Sequence, residues 1–237
     1  TKGRIEYTVW SESFSCQSCA GELVFTTAAM DGDTKRVAKT LTCPHCGAEA
    51  TKEQMELVFE AFIDPATGNM AQRPKRAPTM IVYKIGKERF TKKPDEADLN
   101  VLARIAALPL PGEMPKSSLP DCQMTRVGRM RTTRTEAIHH MFLPRAAQAI
   151  GLLWEKANSH SNARIRSFLL FMVEQAVWGF SILNRYSPSH FSQVNRALNG
   201  VYYVASQHAE CSPWYNLGGK LDRLIKAFRP FKAAKTA

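Results

Sequence analysis

The chain has 237 residues, 44% hydrophobic and 22% charged, with a formal net charge of +11. That length buries a core without disulfides, and that composition excludes a disordered or low-complexity chain. Counting Lys and Arg against Asp and Glu, residues 1–60 give 6 − 9 = −3, residues 61–122 give 10 − 7 = +3, and residues 123–237 give 16 − 5 = +11. Such asymmetry points to an anionic partner, nucleic acid first, with an acidic protein or a membrane surface behind it.

Thr1 is followed by no charged-then-apolar signal, so a cytoplasmic protein is expected, read as a piece of a longer polypeptide. "IEYTVWSESF" (5–14) alternates like a strand and leads into Cys16-x-x-Cys19. "ELVFTTAAM" and "RVAKTLT" read as a hairpin about "DGD" (31–33), followed by Cys43-x-x-Cys46. Two such knuckles joined by a hairpin place four thiolates at tetrahedral corners, the pattern of a closed, structural zinc site. Two disulfides or an iron–sulfur cluster compete, and the flanking ribbon pattern favours neither. His45, inside the second knuckle, is expected to be solvated, and Cys122 and Cys211 to be plain thiols.

Thr51 and Gln54 form a capping-box signature, so a helix is expected over "KEQMELVFEAF", ended by "DPATGN". "TMIVYKIGKERFTKKP" reads as a hairpin through Ile85, Gly86 and Lys87, and 95–108 as a helix with Leu99, Leu102, Ile105 and Leu108 on one face. "PLPGEMPKSSLPDC" (109–122) reads as a linker or extended surface loop. Helices follow at about 136–158, 162–185, 191–208 and 215–228. The apolar run 167–183 is broken by Glu174 and Gln175 and falls short of the ~20 residues a bilayer requires, so no membrane partner is expected. Phe168, Phe171, Trp178 and Phe180 read as core. The fold class is α+β: a zinc ribbon (1–60), a basic hairpin, helix and linker (61–122), and a basic loop with a mostly helical domain (123–237).

Two clusters are candidates for nucleic-acid contact. Arg73, Lys75, Arg76, Lys84, Lys87, Arg89, Lys92 and Lys93 suit phosphate contacts or an edge hairpin defended by lysines. Arg126, Arg129, Arg131 and Arg134, set among threonines, suit a groove-entering loop or a solvated charge run. Lys220, Arg223, Lys226 and Arg229 add to either picture. His139 and His140, neighbours on an expected helix, point to different sides and read as packing or capping groups. No phosphate-binding glycine loop, nucleophile elbow or Walker lysine is present, so the chain alone is expected not to be an enzyme.

The order "VWSESFSCQSCAGELVF", "CPHCGAEATKE", "YKIGKERFTKKPDEAD", "IHHMFLPRAAQAIGLLWEKA" and "ALNGVYYVASQHAE" resembles the region inserted within zinc-ribbon-containing bacterial adenine-specific DNA methyltransferases. The resemblance implies a target-recognition region that contacts double-stranded DNA and its own catalytic domain, in a restriction-modification setting. It places S-adenosylmethionine and an Asp/Asn-Pro-Pro-Tyr/Phe motif elsewhere in the parent enzyme; here Asp64-Pro65 is followed by Ala66. The alternative is a zinc-ribbon protein-interaction module without DNA contact. A third reading is an unfamiliar enzyme site around His139, His140 and Glu136.

Overall fold

One long strand organises the molecule. In the computed structural model, which describes residues 2–31 and 37–233 (side chains to residue 229), β1 (Arg4–Ser15) is buried along nearly its whole length. It pairs antiparallel with β8 (Arg76–Ile85) on one side and β10 (Gln207–Cys211) on the other, and β9 (Glu88–Lys92) extends the sheet beyond β8. Gly86, at φ +60, turns β8 into β9. The last residues of β1 pair instead with β2 (Glu22–Val24) and β5 (Glu56–Leu57). The sheet thus draws strands from all three sequence segments. Pro78, which lacks a donor, lies in the part of β8 that β9 does not reach.

Successive β1 side chains serve opposite faces. Tyr7 and Val9 join Val82, Phe180, Ala209 and Leu217 in the main cluster, whereas Trp10 packs with Met130, Leu143, Ile182 and Val204. Glu6, Thr8 and Glu12 are buried too. The helical C-terminal part comprises α4 (Pro144–Asn158), α5 (Ala163–Glu174), the short α6 (Val177–Phe180) and α7 (Pro213–Ala233). Pro144 suits the first turn of α4, where its missing N–H costs nothing. Ser212 opens α7 by accepting from the N–H of Tyr215 at 3.3 Å while its hydroxyl donates to the Ile5 carbonyl at 2.7 Å.

Several sequence expectations give way to tertiary partners. The first half of the expected hairpin becomes a helical turn, α1 (Phe25–Ala29), because Phe25 and Ala29, four apart, both reach the small core made with Phe14, Leu23 and Leu41. Beyond Asp31, the "DGD" turn lies outside the described residues. The strand half survives as β3 (Thr40–Thr42), paired with β4 (Glu49–Thr51). The capping box at Thr51 forms, its N–H donating to Gln54 at 2.7 Å, yet it starts only a 3₁₀ turn over Lys52–Gln54. The residues beyond extend into β5 and β6 (Phe59–Ile63), since the Val58 N–H finds the Ser13 carbonyl and β6 pairs with β7 (Met70–Pro74).

The helix α2 (Glu96–Ala106) begins as expected, capped by Asp95, but no residue of its apolar face is fully buried. Residues 109–122 run as a strap over α4: Met114 is buried, Gln148 donates to the Pro109 carbonyl, and a Cβ on Gly151 would stand 2.3 Å from Pro111. The expected helix over 191–208 is irregular chain leading into β10, which fills the sheet position beside β1. Of the aromatic quartet read as core, only Phe180 is buried; Phe168, Phe171 and Trp178 are each about 40–50% exposed.

Candidate metal centre and basic surface

Two matching turns build the four-cysteine cage. The Ala20 N–H donates to the Cys16 carbonyl and the Gly47 N–H to the Cys43 carbonyl, while Cys16 and Cys43 each donate back, to Gly21 and Ala48. Closing each turn requires a left-handed residue, met by Gly47 at φ +75 and, with strain, by Ala20 at φ 56. All four Sγ atoms lie within 4.8 Å of one another, and Cys16–Cys46 and Cys19–Cys43 are each 3.8 Å apart. Sulfurs about 2.3 Å from a central ion define a tetrahedron with edges of about 3.8 Å, so the cage fits one thiolate-bound ion such as zinc. The cysteines are free, which removes the two-disulfide alternative.

The electrostatics call for a cation. N–H groups of Ser18 and Cys19 pull Cys16 down to about 6. Cys19, despite the Gly21 N–H, is pushed up to about 12 by Cys46, then burial, then Cys43 and Cys16. Four adjacent thiols cannot all ionise without a positive charge among them. His45 is exposed but braced, its Nε2 lying 2.8 Å from the Glu22 carbonyl, and it adds no fifth ligand. Cys211 is sealed in the main core and Cys122 sits at the start of α3 (Gln123–Arg126); neither joins the cage.

The basic clusters are largely neutralised by the chain's own acids. Arg73 pairs with Glu60, Lys75 with Glu22, Lys84 and Arg89 with Glu6, and Lys92 with Asp95 and Asp98. Arg126 and Arg131 share Asp121. Arg129 donates to one oxygen of the fully buried Glu12 at 2.8 Å, and Arg76, only 6% exposed, stands 3.5 Å from the other as an ion pair without a hydrogen bond, so these two face the sheet and not a phosphate. Arg134 donates to Gln72 and lies over Phe59. Lys87 and Lys93 alone of the twelve candidates are exposed without a carboxylate or hydrogen-bond partner among the described residues. Three of the four loop threonines also turn inward: Thr125, Thr133 and Thr135 are buried, Thr133 donating to the Arg129 carbonyl, while Thr132 is exposed.

The histidine pair departs from its expected geometry. His139 and His140 lie in a 3₁₀ turn over Ile138–Met141, and both Nε2 atoms stand 3.0 Å from one carboxylate, Asp64, at the start of the β6–β7 turn. The Glu136 N–H donates to His140 Nδ1, which fixes that ring's proton on Nε2, from which it is donated to Asp64. His139 Nδ1 is buried without a partner among the described residues. A metal on these Nε2 atoms would require N–H groups at both Nδ1 positions, where one meets another donor and the other meets nothing. The trio therefore suits hydrogen bonding and not metal ligation. Burial opposes charge on Asp64, but His140, the Ala66 N–H and His139 prevail and hold its carboxyl at about 2. Burial lowers His139 below the usual histidine range against the pull of Asp64.

No helix among the described residues is long and apolar enough to cross a membrane. No family model, curated protein or solved structure matches the chain.

Proposed function

We propose that the chain is the DNA target-recognition region of a site-specific adenine DNA methyltransferase, whose catalytic motifs and S-adenosylmethionine site lie outside it. The supporting observation is the four-cysteine cage, which presents no open corner for a substrate and is continuous with β1, the strand whose other end pairs with the basic β8–β9 hairpin. When bound, zinc would hold four thiolates and supply stiffness, not Lewis acidity.

Phosphate contact falls to the solvent-facing cations: Lys87, Lys93, Arg73, Lys75, Lys84, Arg89, Lys92, Arg126, Arg131 and Arg134. Exposed ion pairs are worth about 0–1 kcal/mol, so a phosphate can exchange for Asp121 without large loss, whereas Lys84 and Arg89 must stay in contact with the buried Glu6. Arg76 and Arg129 position the sheet that presents them. The complete enzyme would flip the adenine from the stack, while this region sets register through backbone contacts.

The test is anisotropy with a labelled duplex across a salt series. Binding that weakens steeply with salt, and a shallower slope in the Lys87→Glu/Arg131→Glu variant, are expected. Absent binding at low salt, or binding without a salt slope, overturns the reading. The internal pairing of most candidate cations favours a second reading, a zinc-ribbon protein-interaction module, which predicts a partner complex indifferent to those two charge reversals.

A further inference from the structure

The face formed by α5 and α7 behaves differently from the basic hairpins. The two helices run antiparallel, Phe168 meeting Phe228 edge-on at 5.1 Å near one end and Lys220 donating to the Gln175 carbonyl near the other. Between them lies an open groove of about 560 Å³. Its walls are almost wholly apolar, built from Ile165, Phe168, Leu169, Leu224 and Ile225 among others. Ile165, Phe168 and Ile225 are 47%, 42% and 48% exposed, so a contiguous patch is left in water where a helix interface would normally be dry.

Charge supplies the second observation. The described side chains of α5 and α7 include six cations, Arg164, Arg166, Lys220, Arg223, Lys226 and Arg229, against two acids, Glu174 and Asp222. No salt bridge pairs any of the six with a carboxylate among the described residues. Arg164 and Arg229 line the groove itself, both at the end where α5 begins and α7 runs out. In the two basic clusters six of the seven arginines pair with the chain's own acids; on this face none does among the described residues.

The geometry points to a docking groove for an acidic amphipathic helix of a protein partner. A trough between two helices accepts the apolar ridge of a third, with i, i+3, i+4 and i+7 anchors on its floor. Carboxylates flanking that ridge would meet Arg164 and Arg229. Twelve residues of α5 give a seat about 18 Å long, so a helix of about 12 residues fills it. Duplex DNA offers phosphates but no apolar ridge, and a flat bilayer does not follow a trough. The inference stands apart from the DNA reading, because a chain that binds no duplex can still hold this groove.

The test uses the full zinc-loaded chain and a fluorescein-labelled synthetic helix of about 14 residues with leucines on one face and glutamates flanking them. A twin peptide carries lysines in place of the glutamates. The acidic peptide is expected to bind at least about tenfold more tightly than its twin, and Arg164→Glu/Arg229→Glu to invert that order. Ile165→Gln/Ile225→Gln, at exposed positions, should abolish binding with an unchanged circular-dichroism melt. If that variant melts early, the inversion by the arginine variant decides. Equal binding of the twins, binding of neither, or displacement of the acidic peptide by phosphatidylserine vesicles or random duplex DNA overturns the inference. Duplex binding measured on the same samples separates failure here from failure of the recognition reading.

Discussion

Asp64 holds three groups at once: Nε2 of His139, Nε2 of His140, and the Ala66 N–H that shapes the β6–β7 turn. Replacing it with Asn keeps the shape, yet the amide offers one acceptor and one donor where two ring N–H groups need two acceptors. The carboxyl sits at about 2 against an ordinary 3.8. At about 1.4 kcal/mol per unit that shift corresponds to roughly 2–3 kcal/mol of folded-state stability at neutral pH. For a chain of this size the loss lowers Tm by roughly 5–10 °C.

The pH dependence distinguishes this origin from a general packing defect. Asp64 is depressed in the fold, so its stabilisation is complete above about 4 and disappears as pH falls towards 2. His139 is also depressed, so the unfolded chain binds its proton first, and stability from keeping that ring neutral is present above its ordinary 6.5 and lost as pH falls below it. Urea unfolding of native and Asp64→Asn chains from pH 7 to pH 3 should therefore show a wide gap at neutral pH that closes below about 4. Without Asp64 to draw a proton onto it, His139 in the variant should resist protonation further and steepen the loss below 6.5. A neutral-pH gap under about 0.5 kcal/mol, or one constant across the range, would refute the carboxylate clamp.

Other outcomes follow from single positions. Cys43→Ser should lower bound zinc from one ion per chain to none by elemental analysis, and hydrogen exchange should show the Phe14–Leu23–Leu41 core opening while β1, β8 and β10 stay protected. Glu12→Gln leaves Arg76 buried and unpaired and should cost about 3–5 kcal/mol in urea unfolding, partly recovered by adding Arg76→Met. Ala20→Gly relieves a left-handed alanine and should stabilise the holo chain by about 1 kcal/mol, read as a higher melting temperature. His208 is fully buried with neither ring nitrogen partnered among the described residues, and burial, then Arg76, pushes it well below the usual range. His208→Leu should therefore leave stability equal or higher at pH 7 and reduce its loss below pH 6.5, measured by thermal melts.

Legibility in the sequence followed the range of the signal. The cage was readable because ligand spacing is a local property of two turns, and the β8–β9 hairpin because Gly86 sits where the chain must adopt positive φ. The helix α2, expected over 95–108, was a local pattern too. What failed depended on distant partners. The helix expected after Thr51 lost to strand pairing with β1 and β7, which no window of that segment contains. The histidine pair was misread because a 100° helical step was assumed, whereas the actual 3₁₀ turn and a carboxylate 75 residues away bring both rings together. The α5 aromatics looked like core because apolar residues run nearly all round that helix, yet among the described residues no element lies over the groove side.

The same distance explains why net charge was a poor guide to the contact surface. Glu6 and Glu12 fall at polar positions of the stretch read as an alternating strand, and Glu210 falls between two expected helices, but all three are buried. Glu6 takes Lys84 and Arg89, Glu12 takes Arg76 and Arg129, and Glu210 takes Arg145 and the indole N–H of Trp10. A buried carboxylate is tolerable only with charged partners, so each consumes cations that a count credits to the surface. These acids lie on β1 and on β10 beside it, and β1 runs directly into Cys16, so the charge clamps and the metal cage brace one continuous strand, Glu12 standing four residues before the first cysteine. Loosening that clamp should therefore be felt at the cage: Glu12→Gln is expected to weaken zinc retention against a chelator, although Glu12 touches no cysteine. A chelation half-time unchanged in that variant would mean that the cage and the sheet are mechanically independent.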